Sequence, residues 1–390
     1  MHSRTPNLMS MMQGLIQLPS ISSTDPTVDQ SNLAVINVLS EWLESLNFDV
    51  EILPIGKNKA NLIASLGNIN QNTGLVLSGH TDTVPFDEGL WTFDPFKLTE
   101  KGDRLYGLGS TDMKAFFGIA LEAAQYFEVK RFKNPLVIVA TADEESSMSG
   151  AKLLRERGIK LGRYAVIGEP TSLQPIRMHK GVMMESIEIT GKSGHSSNPA
   201  LGANALEGMH AVLTEVLAWR AELQRLNRNP YFDVDVPTLN LGAIHGGDSP
   251  NRICAHCETK IDIRPLPGMD IIELRESLKQ RLNAVLDKHP KLQIAIRPMF
   301  EGTPAFETPG DSAFVNQCEK LSNRAAGSVA FGTEAPYFSD LGIETVVMGP
   351  GSIDQAHQPN EYLSINQINP ALDLIKQLIN RYCISDSQDG

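Results

Sequence analysis

The sequence contains few cysteines, and their spacing argues against both a structural metal site and a disulfide framework. There are four among 390 residues, and Cys254 and Cys257 form a single Cys-x-x-Cys in ICAHCETKIDIR. A structural zinc site would need a second pair of ligands, which the sequence lacks. A redox motif should follow a strand and open a helix, whereas this one leads into a strand. We therefore expect plain reduced cysteines, as in most cytosolic proteins.

Long apolar runs and an excess of basic residues are also absent. No run reaches the roughly 18 apolar residues of a membrane span, and the N-terminal MHSRTPNLMSMMQGLIQLPS lacks the apolar core of a signal peptide. The formal net charge of −12 argues against binding to a nucleic-acid backbone, which needs clustered Lys and Arg. We expect a cytoplasmic protein that binds neither membranes nor nucleic acids.

The first part of the chain alternates between strands and helices. Amphipathic helices are predicted at 7–18 and 31–46, and a helix with a wide apolar face follows Asp112. NPLVIVAT, at 134–141, is a continuous apolar strand of the kind that is buried on both faces. This alternation predicts an α/β domain with a mixed, mostly parallel sheet flanked by helices.

The pattern changes near Lys180, and the chain of 390 residues is too long for one compact core. Between 182 and 296 the predicted elements follow the order βαββαβ, which is typical of a ferredoxin-like α+β sandwich. The α/β pattern then resumes with helices at 311–324 and 370–382. We predict a catalytic α/β domain in two parts, 1–180 and 298–390, with an α+β domain inserted at 181–297.

Side chains that bind metals follow the predicted strands of the α/β domain. They are His80 and Asp82 in LVLSGHTD, Asp143, Glu144 and Glu145 in LVIVATADEES, Glu169 in YAVIGEP, and His357 after ETVVMGPGSIDQA. Asp112 lies just before a helix in GLGSTDMKA. Because ligands of open α/β sheets bind outside the carboxyl ends of the strands, most of these groups should converge on one crevice. So many carboxylates in one crevice require cations.

The charges of these groups suggest how many cations there are. Five of the residues offer the usual ligand atoms, namely His80, His357, Asp112, Glu145 and Glu169. If all five are ligands, two neutral imidazoles and three carboxylates carry a charge of −3, which two divalent cations and a shared hydroxide would balance. This ligand set leaves open positions for catalysis. The mixture of nitrogen and oxygen donors favours zinc or cobalt over magnesium or calcium.

Each of these residues also has an ordinary explanation when it is taken alone. Asp82 is the type of residue that forms turns, and Asp112 is a common N-cap. Glu144 and Glu145 resemble a solvated pair after a strand, and His357 resembles a loop histidine. Coincidence is a poor explanation for so many strand ends that carry such groups together.

The motifs GHTDTVP, GSTDMKA, TADEES, IGEP and GPG-x5-H resemble the zinc-dependent aminoacylase/carboxypeptidase family of co-catalytic metallohydrolases. The resemblance spans essentially the whole chain, including the inserted domain. It implies a zinc-exopeptidase-like catalytic domain in which Asp112 bridges two ions. His80 and Glu169 would hold one ion, and Glu145 and His357 would hold the other.

The resemblance also implies roles for three residues that are not ligands. Asp82 corresponds to the partner that fixes the imidazole tautomer of His80. Glu144 matches the general base, and His195 in TGKSGHSS matches a lid histidine that stabilises the oxyanion. Taken alone, His195 could be an ordinary surface histidine. In dimeric relatives this histidine comes from the other subunit, so we expect a homodimer formed through the inserted domain.

The implied reaction is hydrolysis of the amide bond of an N-acylated amino acid. Arg264 in KIDIRPLPG resembles the lid arginine that binds the substrate carboxylate, and Asn251 in DSPNRIC would assist it. For an acylated ornithine, Glu334 in FGTEAPYF could bind the free amine, although it could equally cap the following helix. The alternatives are succinyl-diaminopimelate desuccinylation, a broader N-acyl-amino-acid hydrolase and a dipeptidase. A binding or structural protein should have lost Glu144 or a ligand, and this chain retains them.

Overall fold

The computed structural model describes residues 5–67, 69 and 73–384. The chain forms two compact units. Among the described residues, the larger unit consists of the segment that ends at Arg177, the segment Thr308–Gly327 and the segment that begins at Thr333. The smaller unit consists of Met178–Glu307 and Ser328–Gly332.

The larger unit alternates between strands and helices, as the sequence predicts. Its helices are α1 (Leu8–Ile16), α2 (Leu33–Ser45), α3 (Lys114–Gln125), α4 (Ser149–Glu156), α7 (Ala313–Ser322), α8 (Ala335–Asp340) and α9 (Ile368–Ile379). Its strands are β1 (Asp49–Ile55), β2 (Lys59–Leu66), β3 (Leu75–His80), β4 (Thr99–Lys101), β5 (Arg104–Tyr106), β6 (Leu136–Thr141), β7 (Tyr164–Pro170), β15 (Glu344–Gly349) and β16 (Tyr362–Ser364). The short strands β8 (Ile176–His179) and β14 (Gly327–Val329) lie at boundaries between the units along the chain.

The main sheet of the larger unit has the order β1-β2-β6-β3-β7-β15. β3, β6, β7 and β15 pair in parallel, whereas β1 and β2 pair antiparallel at one side. Every residue of β3 and of β6 is buried, because helices cover both faces of the sheet. The predicted fold class, a mixed and mostly parallel sheet flanked by helices, is confirmed.

The parallel register brings the carboxyl ends of the central strands to one edge of the sheet. His80 at the end of β3 pairs with Thr141 at the end of β6. β7 runs alongside β3, with Ser78 opposite Ile167, so that Glu169 follows at the same edge. The core beneath this edge includes Phe117 of α3, which is fully buried.

A small second sheet in the larger unit escapes sequence prediction. β4, β5 and β16 form an antiparallel sheet in the order β16-β5-β4. Tyr362 of β16 pairs with Tyr106 of β5 across more than 250 positions of sequence. Strands of three residues are too short to show a period-two pattern. This sheet places the segment around Glu361 beside the loop that leads into α3.

The smaller unit is a ferredoxin-like α+β sandwich, as predicted. Its elements in chain order are β9 (Met183–Thr190), α5 (Ala205–Leu226), β10 (Thr238–Gly246), β11 (His256–Arg264), α6 (Ile271–Leu286), β12 (Gln293–Pro298) and β13 (Phe306–Glu307). The sheet order β10-β11-β9-β12 is antiparallel throughout. Asn204 caps α5 by accepting a hydrogen bond from the backbone N–H of Leu206. Trp219 of α5 is buried in the core of this unit.

The cysteines and the helices show two further features. All four cysteines are free and buried, and β11 begins two residues after Cys254. Among the helices that the structure describes, none combines the length and the apolar character that crossing a membrane requires.

Candidate metal centre

Histidine and acidic side chains gather at the carboxyl edge of the main sheet. In the described part of the chain, three groups have potential ligand atoms within 4.8 Å of one another: His80 with Asp112 and Glu169, Asp112 with Glu145 and His357, and His80 with Glu144 and Glu145. The first two groups share Asp112. A carboxylate common to two donor groups is the arrangement that a bridging ligand of a two-ion site requires.

The first group lies on the buried side of the site. His80 Nε2 is 3.2 Å from Oδ1 of Asp112 and 4.0 Å from Oε1 of Glu169. All three residues are buried. His80 ends β3 and Glu169 lies near the end of β7, so that two neighbouring parallel strands position them.

The second group lies on the more exposed side. His357 Nε2 is 3.0 Å from Oε2 of Glu145 and 3.3 Å from Oδ2 of Asp112, and its side chain is 52% exposed. His357 has a φ of 58° in the loop after β15. The two carboxylate oxygens of Asp112 thus face different histidines, Oδ1 towards His80 and Oδ2 towards His357.

Asp82 contacts His80 through its backbone. The Nδ1 atom of His80 lies 3.0 Å from the carbonyl oxygen of Asp82, whereas the carboxylate Oδ1 lies 3.8 Å away. The other carboxylate oxygen, Oδ2, accepts the backbone N–H of Glu145 at 3.1 Å. Asp82 therefore holds the His80 ring through a carbonyl and holds the turn that carries Glu145 through a carboxylate.

A network around Asp143 supports the turn that carries Glu144 and Glu145. Asp143 has a left-handed backbone with a φ of 62°, and its carbonyl accepts the N–H groups of two following serines and of Met148. Its carboxylate is bonded by the Lys59 ammonium and by the hydroxyls of Ser22 and Ser149. The turn is thus anchored to two distant segments, at Ser22 and Lys59, and to the start of α4.

The electrostatics of the site favour bound cations. Burial raises the pKa of Glu144, Glu145 and Glu169, and neighbouring carboxylates add to the effect. Burial opposes the ionisation of Asp112 as well, but hydrogen bonds from His357 and His80 lower its pKa below the usual range. Hydrogen bonds to Asp112 and Glu145 raise the pKa of His357 to about 10. Desolvated carboxylates at such density are stable when cations neutralise them.

A buried carboxylate oxygen without a hydrogen-bond partner among the described residues is a second observation that fits a metal site. Oε1 of Glu169 is buried and accepts no hydrogen bond from any part of the chain that the structure describes. A buried carboxylate oxygen without a partner is costly, and a metal ion would satisfy it. The imidazole and carboxylate donors suit zinc or cobalt better than magnesium or calcium.

Glu334 lies at the start of α8 and is completely buried. Its side chain makes no capping hydrogen bond, and both carboxylate oxygens lack hydrogen-bond partners within the described residues. Burial raises the pKa of Glu334 to about 7, although the nearby Thr141 hydroxyl and the charge of His80 act to lower it. The structure therefore disagrees with a capping role for this side chain.

The three other predicted site residues belong to the smaller unit. His195 is exposed in the loop between β9 and α5, and its Nδ1 accepts the Ser197 hydroxyl at 2.7 Å. Asn251 lies beside it, because its carbonyl accepts the N–H of Ser196. Arg264 ends β11, where its Nε donates to Asp262 at 3.0 Å. The structure brings His195 and Asn251 together but places Arg264 at the other end of β11.

One buried acidic residue next to the site escapes sequence prediction. The carboxylate of Glu361 accepts the backbone N–H groups of Gly109, Thr111 and Asp112. The only local signal is that Glu361 follows His357 by four positions in HQPNEY. Its hydrogen-bond partners lie about 250 positions earlier in the sequence, where a local pattern cannot reveal them.

The chain is similar to a family of peptidases and to many named proteins. The sequence model described as Peptidase family M20/M25/M40 matches residues 76–381. The chain is 46% identical over 388 residues to an acetylornithine deacetylase of Proteus mirabilis (strain HI4320), covering 99% of each protein. It is 46% identical over 378 residues to an acetylornithine deacetylase of Vibrio campbellii (strain ATCC BAA-1116), covering 97% of this chain and 99% of that protein.

Solved structures share the fold. Aminopeptidase PepT from Bacillus cereus ATCC 10987 matches with a TM-score of 0.74 and 19% identity, over 97% of this chain and 99% of that one. The metallo-carboxypeptidase Sso-CP2 from Sulfolobus solfataricus matches with a TM-score of 0.73 and 19% identity, over 96% and 98% of the two chains. At this identity the likeness shows the fold alone.

Proposed function

The chain belongs to peptidase family M20/M25/M40 and is a metal-dependent hydrolase, and from this premise we propose that it hydrolyses N2-acetyl-L-ornithine to L-ornithine and acetate. The observation that carries the chemistry is Asp112, whose two carboxylate oxygens face two separate donor groups. The substrate rests on identities of 44% to 46% with acetylornithine deacetylases over nearly the whole chain.

Two divalent ions, zinc or cobalt, would be held by the residues of the first two donor groups. His80 and Glu169 would bind one ion, Glu145 and His357 the other, and Asp112 both. When bound, such ions lower the pKa of water and polarise a carbonyl oxygen. The Asp82 carbonyl accepts a hydrogen bond from Nδ1 of His80 and so orients the ring. This favours the tautomer with its proton on Nδ1 and leaves Nε2, which faces Asp112 and Glu169, free to bind an ion.

Glu144 is proposed as the general base and acid. It would take a proton from the attacking water and deliver that proton to the leaving amine. Burial raises the pKa of Glu144, which brings a carboxyl group closer to the pH at which it can both accept and donate a proton. The Asp143 network holds the turn, so that Glu144 keeps its position while its protonation changes.

His195 is proposed to stabilise the oxyanion, and Arg264 with Asn251 to bind the substrate carboxylate. β11 spans roughly 27 Å between His256 and Arg264, at about 3.4 Å per residue. His195 pairs with Arg252, four residues before β11 begins. One small substrate cannot reach both His195 and Arg264 of the same smaller unit, which supports contribution of His195 by a partner subunit.

The proposed homodimer would form through the smaller unit. β10 is an edge strand of the sheet, and it exposes Leu241 (37%) and Ile244 (52%). An unpaired edge with exposed apolar residues is suited to pairing with another chain. The neighbouring helix α5 exposes Leu206 and Leu217 as well. We propose that the segment predicted at 181–297 serves as lid and dimerisation domain.

Glu334 is proposed to bind the side-chain amine of ornithine. Its two carboxylate oxygens are buried without hydrogen-bond partners among the described residues, and burial raises its pKa to about 7. A bound ammonium group would supply both the missing hydrogen bonds and the compensating charge.

We also propose a cytoplasmic location, with which four free buried cysteines agree, and a place in arginine biosynthesis.

The test is to incubate zinc- or cobalt-loaded protein separately with N-acetylornithine, N-succinyl-diaminopimelate and a dipeptide, and to measure amine release. Release from N-acetylornithine that a chelator abolishes and added metal restores would support both substrate and chemistry. Preference for the succinylated substrate or the dipeptide would replace the substrate but keep the chemistry. Release that survives the chelator would overturn the metal-dependent mechanism.

A further inference from the structure

Glu361 is a buried acidic residue that belongs to none of the three donor groups. It follows His357 by four positions and directly precedes β16, and its relative exposure is 1%. The loop 107–112, which ends at Asp112, lies against it. Glu361 therefore connects the segment that carries His357 to the loop that carries Asp112.

The Glu361 carboxylate holds this loop by its backbone. Oε1 accepts the N–H of Thr111 at 2.7 Å and the N–H of Asp112 at 2.9 Å. Oε2 accepts the N–H of Gly109 at 3.0 Å, and the Glu361 carbonyl accepts the N–H of Gly107 at 3.1 Å. Together these four bonds hold the backbone from residue 107 to the proposed bridging residue.

Only a carboxylate can make the three side-chain bonds. Both of its oxygens accept, whereas the amide of glutamine has one accepting oxygen and one NH₂ group. In a glutamine variant the NH₂ group would face either the N–H of Gly109 or the N–H groups of Thr111 and Asp112. Donor would meet donor, and the loop would have to shift.

The surrounding structure makes Glu361 a link between the two segments. The Thr111 hydroxyl donates to the carbonyl of Tyr362 at 2.5 Å, and Tyr362 pairs with Tyr106 of β5. Gly109 has a φ of 83°, and this left-handed backbone conformation suits glycine. The position of Asp112 relative to His357 is thus set by backbone contacts to one buried side chain.

We propose that Glu361 is a positioning residue that holds Asp112 where its two carboxylate oxygens can serve both donor groups. The inference rests on the proposed two-metal function. Because Oδ1 and Oδ2 of Asp112 lie 3.2 Å and 3.3 Å from different histidines, a shift of the loop would disturb both groups at once. Replacing a residue that supports a metal ligand in this way typically weakens metal binding about 10- to 100-fold.

The experiment compares metal binding by the full-length parent and by Glu361→Gln, without substrate. Metal affinity is measured by competition with a chromophoric chelator, and the ligand geometry is measured from the visible absorption of the cobalt-loaded protein. The matched control is Glu344→Gln, since Glu344 accepts a hydrogen bond from Ser312 at the start of β15, the end of the strand away from the site. We expect about 10- to 100-fold weaker binding and an altered cobalt spectrum for Glu361→Gln, with parental behaviour for the control.

Parental affinity and an unchanged cobalt spectrum in Glu361→Gln would overturn the proposal, even if the variant melts at a lower temperature. If Glu361→Gln does not fold, Thr111→Val decides, because it removes the hydroxyl bond to Tyr362 and keeps the backbone N–H. A smaller loss of affinity in the same direction supports the proposal, and no loss overturns it. A parent that binds fewer than two ions would overturn the proposed function together with this inference.

Discussion

Replacing Glu144 by Gln tests the assignment on which the proposed mechanism depends most. Glu144 lies in a donor group with His80 and Glu145, so it has the geometry of a metal ligand as well as that of a base. The other two groups would hold the two proposed ions without it. The change keeps the size of the side chain and removes its ability to accept a proton.

General acid–base catalysis by a positioned side chain contributes about 10²- to 10⁴-fold. At about 1.4 kcal/mol for each factor of ten, Glu144→Gln should raise the activation free energy by about 3–5 kcal/mol. Turnover at saturating substrate should therefore fall by at least about a hundredfold. Metal affinity should stay close to that of the parent, because the five proposed ligands remain.

The assay measures ornithine release from N-acetylornithine and the metal content after dialysis. The control is Glu145→Gln, which removes a member of the group with Asp112 and His357 and should release one ion. Near-parental turnover in Glu144→Gln would refute its role as base. Loss of an ion comparable to that of the control would show that Glu144 is a ligand instead.

Three further experiments test other parts of the molecule. Lys59→Met removes the ammonium group that bonds Asp143, and we expect a loss of about 2 kcal/mol in the free energy of unfolding by urea. Burial lowers the pKa of Lys59, but its carboxylate partners raise it by more, so the pKa in the folded protein is raised overall. The stabilisation that Lys59 provides is therefore complete below the pKa of an unfolded lysine, and it disappears as the pH rises through the folded pKa. Burial raises the pKa of Cys318 and of Cys383 to about 12, so a thiol reagent at pH 8 should label them only after unfolding; rapid labelling of the native protein would contradict their burial. Ile244→Arg places a charge on the edge strand β10 and should lower the mass measured by light scattering to that of a monomer. Metal binding should be unchanged. If the variant is still a dimer, β10 is not part of the proposed interface.

Much of the fold follows from local patterns. β6 is a continuous apolar run and is buried throughout, and the βαββαβ order of the smaller unit is readable from periodicity. The strands β4, β5 and β16 have three residues each, too few to show any period. They exist because their partners are brought together by the rest of the larger unit.

Some features of the candidate site are likewise predictable from local sequence, and others are not. His80 and Glu169 are predictable because each ends a buried strand, and parallel strands end at a common edge. The contact of Asp82 with His80 is predictable from their spacing, but the atoms are not. In the structure the carbonyl holds the ring, and the carboxylate accepts a hydrogen bond from Glu145, 63 positions away.

The sequence by itself therefore determined the fold class, the chemical types of the proposed ligands and the edge of the sheet at which they gather. These features depend on apolar runs and on residues within a few positions of each strand end. Only the tertiary structure decided that Asp112 faces two histidines through different oxygens. It also decided that Glu361 binds the loop of Asp112. The contacts of Asp112 with His357 and with Glu361 join segments about 250 positions apart, and no local pattern encodes them.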